Sequence, residues 1–257
     1  MCTVAFVPLA AGGYLLGHNR DERSARRPGE APRLLGSARC RALAPRDPEG
    51  GGTWIVLNAA GVTVCALNAA EANPARLPAE PRSRGLIVRD LACVRGIDEA
   101  RVWLEEAREV LAWTRAFHLV TAEPGWRTGT ARVARFRWDG LEADWETAEE
   151  PALFVSSLLQ PAEVERERSA RWRAHAEAGP IDGAALAAFL ASHEPARGPL
   201  SVCMHRREAG TVSRTLVEVV PGGATMRYRP GPPCTPSGPE TVGTLGTVSP
   251  GPSRSTG

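Results

Sequence analysis

Met1-Cys2-Thr3-Val4-Ala5-Phe6 and, a few residues on, Gly17-His18-Asn19-Arg20-Asp21-Glu22 are the two stretches from which the fold is read. Residues 3–7 are rich in strand formers and alternate weakly, residues 8–13 are turn material, and Gly13-Tyr14-Leu15-Leu16-Gly17 resumes an apolar run. This pattern predicts a β-hairpin. With its turn near Ala10 or Ala11, residue 2 lies across from residues 19–21, and the polar run 18–22 faces Cys2. A small residue after the initiator methionine permits removal of that methionine, which leaves Cys2 with a thiol and a free α-amine. Their reference pKa values are about 8.5 and about 8, so one residue supplies both a nucleophile and its base. Taken alone, a second-position cysteine is more simply a buried or fraying terminal residue.

At 257 residues the chain suits one large domain, read as residues 1–229. Net charge is +2 and the basic residues are spread out, so no nucleic-acid partner is expected. All 31 basic residues are arginine. Without lysine there is no Walker-type phosphate loop and no Schiff-base or pyridoxal chemistry. The six cysteines show no CxxC pair and no zinc spacing. The opening segment lacks a basic n-region and breaks at Gly12-Gly13, so it reads neither as a signal peptide nor as a transmembrane segment. Reduced thiols in a cytoplasmic protein are therefore expected. Cys203 and His205 form at most a weak metal pair, and neither a metal nor another cofactor is expected.

Further strands are predicted at 53–58 and 62–69, joined by a tight turn at Ala59-Ala60-Gly61, and at 117–121, 131–138 and 153–157. Others follow at 200–205, 212–220 and 224–228. Helical spacing covers 84–94, 97–111 with Asp98 as N-cap, 162–176, and 182–192 capped by Asp182. Residues 230–257, rich in Pro, Gly and Ser, read as a disordered tail. Strands with helices inserted in pairs predict an α+β architecture of two sheets between helical layers.

These residues resemble the NRDE, or transport-and-Golgi-organization, family, named for its Asn-Arg-Asp-Glu run. The resemblance continues through Gly51-Gly52-Thr53-Trp54, Asn58-Ala59-Ala60-Gly61-Val62 and Ala66-Leu67-Asn68. It resumes at Ser201-Val202-Cys203-Met204-His205 and Thr211-Val212-Ser213-Arg214-Thr215. More distantly the same landmarks resemble N-terminal-nucleophile (Ntn) amidohydrolases: bile-salt hydrolases, penicillin acylases and acyl-CoA:6-aminopenicillanate acyltransferases. The fold this implies is the four-layer αββα sandwich.

The resemblance implies catalytic roles for Cys2, Asp21 and Asn68. Cys2 attacks an acyl carbonyl, Asp21 accepts a hydrogen bond from the α-amine, and the Asn68 amide donates to the oxyanion. Arg20 either favours the thiolate or pairs with Glu22 or Asp47. His18, Asn19 and Ser156 are candidate substrate contacts. His18 stands where bile-salt hydrolases carry arginine, and Ser156 lies in the segment matching a second asparagine of those enzymes.

The expected function is a cytoplasmic cysteine amidohydrolase, or an acyltransferase on the same site, acting on a non-peptide C–N bond. Its ligand is a small N-acyl, acyl-CoA or lipid-like molecule. The alternative is a non-catalytic carrier of haem, lipid or acyl-CoA, with His18, His118 and Cys203 as possible ligands. A structural or interaction protein is the third reading, on account of the Pro-rich tail.

Overall fold

The computed structural model describes residues 2–37, 40–70 and 79–247. β1 (Cys2–Pro8) and β2 (Tyr14–Arg23) form the expected hairpin, turned by a 3-10 segment at Ala10–Gly12. Gly12 has φ +75°, and a Cβ there would lie 2.4 Å from the Gly125 carbonyl oxygen, so only glycine fits the turn. The register sets Cys2 opposite Arg20 and Thr3 opposite Asn19.

The chain continues as β3 (Glu30–Ser37), β4 (Cys40–Arg46), β5 (Ile55–Asn58), β6 (Thr63–Asn68), α1 (Arg84–Asp90), α2 (Ile97–Glu106), α3 (Arg108–Ala112), β7 (Phe117–Glu123), β8 (Arg132–Trp138), β9 (Ala143–Ala148) and β10 (Ala152–Ser156). It closes with α4 (Pro161–Glu177), α5 (Gly183–Ala191), β11 (Ala209–Val220), β12 (Gly223–Pro230) and β13 (Thr241–Leu245). One antiparallel sheet runs β10-β1-β2-β11-β12-β13, the other β3-β4-β5-β6-β7-β8-β9.

Strand alternation sorts the side chains into layers. Val4, Phe6, Tyr14 and Leu16 point inward and meet Leu57, Leu67 and Val120 of the facing sheet. Ala5, Val7 and Leu15 point outward and meet Trp172, Leu186 and Leu190 of α4 and α5. The second sheet turns Val56, Val64, Phe117 and Leu119 toward Ile87, Leu91 and Leu104 on the other side. The result is a four-layer αββα sandwich of the α+β class. Each fully buried Phe or Leu contributes about 1.5–3 kcal/mol of transfer free energy to these layers.

Helix caps follow local chemistry. Asp182 accepts a hydrogen bond from the Ala185 amide at 2.8 Å and starts α5. Asp98, expected as a cap, lies instead in the first turn of α2. There Glu123 of β7 reaches across to accept from the Ile97 amide at 2.6 Å, so a tertiary carboxylate does the capping.

Three further expectations are corrected. Residues 230–257 are not uniformly a tail, because β13 pairs antiparallel with β12 from Tyr228↔Thr241 to Ala224↔Leu245. Residues 200–205 form no ladder; Val202 packs with Leu186, Phe189 and Leu190 of α5, and the segment joins a sheet through an isolated bridge, His205↔Gly210. The cysteines are not all reduced, since Cys40 and Cys93 form a disulfide. That bond removes the ground on which a cytoplasmic location was expected. Among the described residues, no helix is long and apolar enough to cross a membrane.

Cys2, Cys65, Cys203 and Cys234 are the four free cysteines. A thiol reagent applied to protein denatured in chelator should therefore titrate four groups, and six after reduction. Six without reduction would overturn the Cys40–Cys93 bond.

Candidate active site

Cys2 lies between two strands, opposite Arg20 of β2 and Ser156 of β10. Directly paired residues share a face, so Ser156, Cys2 and Arg20 form a row on the inner side of the six-stranded sheet. Cys2 and Arg20 of this row border a cleft of about 90 Å³ also lined by Thr53, Trp54, Ala66 and Asn68 from the side of the other sheet. Cys2 is only 4 % exposed. Burial pushes its thiol above the ordinary cysteine range.

The charged wall of the cleft is built around Arg20. Its guanidinium stacks 4.2 Å from the Trp54 ring centroid and lies 3.6 Å from Glu22 and 3.7 Å from Asp47. Both pairings read from the sequence thus occur, with Arg20 still facing Cys2. Arg26 binds Asp47 at 2.5 Å. Burial alone would raise the Asp47 pKa, but the hydrogen bond and charge of Arg26 hold it below the usual carboxylate range.

Ser83 to Gly85, at the start of α1, close the cleft from the side. Gly52 and Gly85 allow this approach: a Cβ on Gly52 would stand 2.2 Å from the Gly85 carbonyl carbon. The Thr53 amide then donates to the Gly85 carbonyl at 3.0 Å. Gly52 belongs to the recognised Gly51-Gly52-Thr53-Trp54 stretch, whereas Gly85 had no local signal.

Asp21 borders the cleft through its position beside Arg20, but its carboxylate turns to the helical layer. It accepts from the Thr211 hydroxyl at 2.6 Å and lies 3.4 Å from the Arg168 guanidinium, both partners wholly buried. Arg168 also donates to the Thr3 hydroxyl at 2.5 Å. Sequence reading missed Arg168. It lies on α4, a strongly polar helix on which one arginine among several carries no mark of burial.

Cys2, Asp21, Arg20 and Asn68 are therefore brought together, with Ser156 beside Cys2. The Ser156 hydroxyl has no hydrogen-bond partner among the described residues. His18 and Asn19 are not brought into the cleft. Asn19 is fully buried on the outer face, where its amide donates to the carbonyls of Leu190 at 2.7 Å and Val202 at 3.1 Å. It ties β2 to α5 and the segment that follows. His18 is sealed between β1 and β11, with its pKa lowered to about 3 by burial. His118 borders a different cleft beside Arg137 and Asp144, while Cys203 lies in the segment before β11. Neither His18 nor Cys203 lines the cleft that His118 borders.

The family model for Transport and Golgi organisation 2 matches residues 1–138, more than half of the chain. The chain belongs to this family. The match contains Cys2, the Asn19-Arg20-Asp21-Glu22 run and Asn68, and ends with β8. A search of curated proteins finds no match. Among solved structures, a Caenorhabditis elegans ortholog of N-acylethanolamine-hydrolyzing acid amidase superposes with a TM-score of 0.52. It is 13% identical, with 84% of this chain and 92% of that one covered. Two variants of the conjugated bile acid hydrolase of Clostridium perfringens align at 12% identity with TM-scores of 0.47 and 0.44. They cover 95% and 96% of this chain and 92% of each of theirs. The amidase likeness shows a shared fold, an Ntn-hydrolase-like αββα sandwich.

Arg168→Met leaves the Asp21 carboxylate buried without its cation, which typically costs about 3–5 kcal/mol. The denaturation midpoint should fall accordingly, and adding Asp21→Asn should recover part of the loss. A loss below about 1 kcal/mol for the single variant would mean that the pair contributes little.

Proposed function

We propose that this protein is an Ntn-type cysteine amidohydrolase, or an acyltransferase on the same site, that cleaves the non-peptide C–N bond of an N-acyl compound. The observation that carries this reading is the shared cleft: Cys2 from one sheet and Asn68 from the other both line it beside Arg20, and Ser156 is the ladder partner of Cys2. The fold likeness to an N-acylethanolamine-hydrolyzing amidase supports the same reaction class.

In the proposed reaction, loss of Met1 frees the Cys2 α-amine. The amine takes the thiol proton as sulfur attacks the acyl carbonyl, and the oxyanion receives hydrogen bonds from the Asn68 amide and the Ser156 hydroxyl. The same proton passes to the departing amine, leaving a thioester. Water, or a second amine for acyl transfer, then releases the acyl group. Asp21, held from behind by Arg168 and Thr211, orients the α-amine. Small-molecule sites usually span about 300–1,000 Å³, so the cleft takes the reacting amide while the acyl chain extends beyond it.

Intact mass spectrometry should show a chain without Met1. On a panel of N-acyl amides, Cys2→Ala should abolish turnover and Asn68→Ala should lower kcat by about 10²–10³ with KM little changed. A retained Met1 in every molecule, or full activity in Cys2→Ala, overturns the proposal.

The pH dependence has a definite sign. Burial raises the Cys2 thiol, which therefore keeps its proton near neutrality, and the amine must be deprotonated to accept it. Both requirements favour higher pH, so kcat/KM should rise from about pH 6 toward the amine pKa of about 8. A profile that falls over that interval contradicts the amine as base.

A further inference from the structure

Outside the cleft, four side chains from separate segments converge. His193 follows α5, Cys203 and His205 lie in the irregular stretch before β11, and Cys234 lies just beyond β12. One donor atom from each is within 4.8 Å of all the others. The Nε2 atom of His205 is 3.2 Å from His193 Nε2, 3.5 Å from Cys203 Sγ and 3.4 Å from Cys234 Sγ.

Hydrogen bonding alone does not account for this crowding. An imidazole nitrogen has either one proton or one in-plane lone pair, enough for a single well-formed bond, yet three donor atoms surround this one. A cation at the centre satisfies all four groups together. With zinc–sulfur bonds of about 2.3 Å and zinc–nitrogen bonds of about 2.0–2.1 Å, tetrahedral geometry separates two nitrogens by about 3.3 Å and a nitrogen from a sulfur by about 3.5 Å. The three observed separations agree with these edges to within about 0.2 Å.

We propose that His193, Cys203, His205 and Cys234 form a structural Zn²⁺ site. Two thiolates and two neutral imidazoles complete a tetrahedron and neutralise the ion, which leaves no position for water or substrate. The Thr235 hydroxyl, 3.6 Å from Cys234 Sγ, donates toward that sulfur as an outer partner. Coordination through His205 Nε2 places the ring proton on Nδ1, so the exposed Arg197 guanidinium, now 3.5 Å from Nδ1, turns to solvent. The spacing His-x9-Cys-x-His-x28-Cys matches none of the usual zinc patterns, which is why the sequence showed only the Cys203–His205 pair.

The site supports the floor beneath Asp21. Met204, between two of the ligands, donates its amide to the Thr211 hydroxyl at 2.8 Å, and that hydroxyl donates to Asp21. Val202, beside Cys203, accepts from Asn19. Zinc thus clamps the segment that anchors β2 from its outer face. The proposal stands whether or not Cys2 is catalytic.

The test uses full-length protein without a histidine tag, grown with added zinc and dialysed. Elemental analysis should find about one zinc per chain, with Cys203→Ser and Cys234→Ser losing it and Cys65→Ala retaining it. A chelator should lower the wild-type Tm and added Zn²⁺ should restore it. Should the serine variants fail to fold, Co²⁺ added to the metal-stripped wild type should produce the visible absorption of tetrahedral, thiolate-bound cobalt. Zinc far below one per chain, a colourless cobalt titration, iron in place of zinc, or zinc that survives both serine variants would each overturn the site.

Discussion

A carboxylate with no access to water needs a cation, and in this fold the buried Asp21 has Arg168. The pair lies between the six-stranded sheet and α4, and it has geometric consequences on both sides. Through the guanidinium, α4 is held against the Thr3 and Asp21 positions of β1 and β2. Through Thr211, the carboxylate also fixes the start of β11 against the same strand. A slip of one residue along β2 would swing Asp21 to the inner face and set against Arg168 either the cation Arg20 or the longer Glu22. The pair therefore specifies the register that aligns Cys2 with Arg20, whatever its net contribution to stability.

The two faces of β2 divide the work. Outward-facing Asn19 ties β2 to α5 and the segment after it, while the Asp21 carboxylate is anchored by α4 and β11 at the border of the cleft. Inward-facing Arg20 is stacked on Trp54 and tethered by two carboxylates, with its charge beside the Cys2 thiol. An Asn-Arg-Asp run is thus one strand satisfying two unlike layers, with alternation deciding which residue meets which. The facing sheet supplies Trp54 and Asn68, and the glycine contact at Gly52 and Gly85 lets α1 approach closely enough to wall the cleft.

Legibility in the sequence followed how local each signal was. The β1–β2 hairpin, the turn at Ala59-Ala60-Gly61 and the two late helices could be read because periodicity, turn residues and the Asp182 cap all act within a few positions. Strands β3, β4 and β9 were not read, since their arginines, prolines and acidic residues look like loop, and only pairing with neighbours makes them strands. The same holds for β13, which has one large buried residue, Leu245. That Cys2, Arg20, Asp21 and Asn68 line one cleft follows from the hairpin register for the first three and was suggested by the family resemblance for Asn68. Asn19 faces the outer layer, and His18 shares the inner face with Arg20 but lies one inward-facing pair further along the ladder, outside the cleft lining. A polar run at a strand end does not signal that distinction. Arg168, Gly85, the Cys40–Cys93 bond and the His193–Cys234 cluster all depend on contacts between remote segments, and composition carries no trace of them.

The position of β1 inside its sheet also imposes an order of events. Cys2 pairs on one side with a strand ten to twenty residues away and on the other with Ser156, roughly 150 residues later. Once β10 has joined, Cys2 is held between two ladders and buried to 4 % exposure. An aminopeptidase thus has its opportunity while the ribosome is still making the rest of the chain. On the chemistry proposed above, maturation is a race between trimming and folding, open until β10, in the second half of the chain, has been made and has joined the sheet.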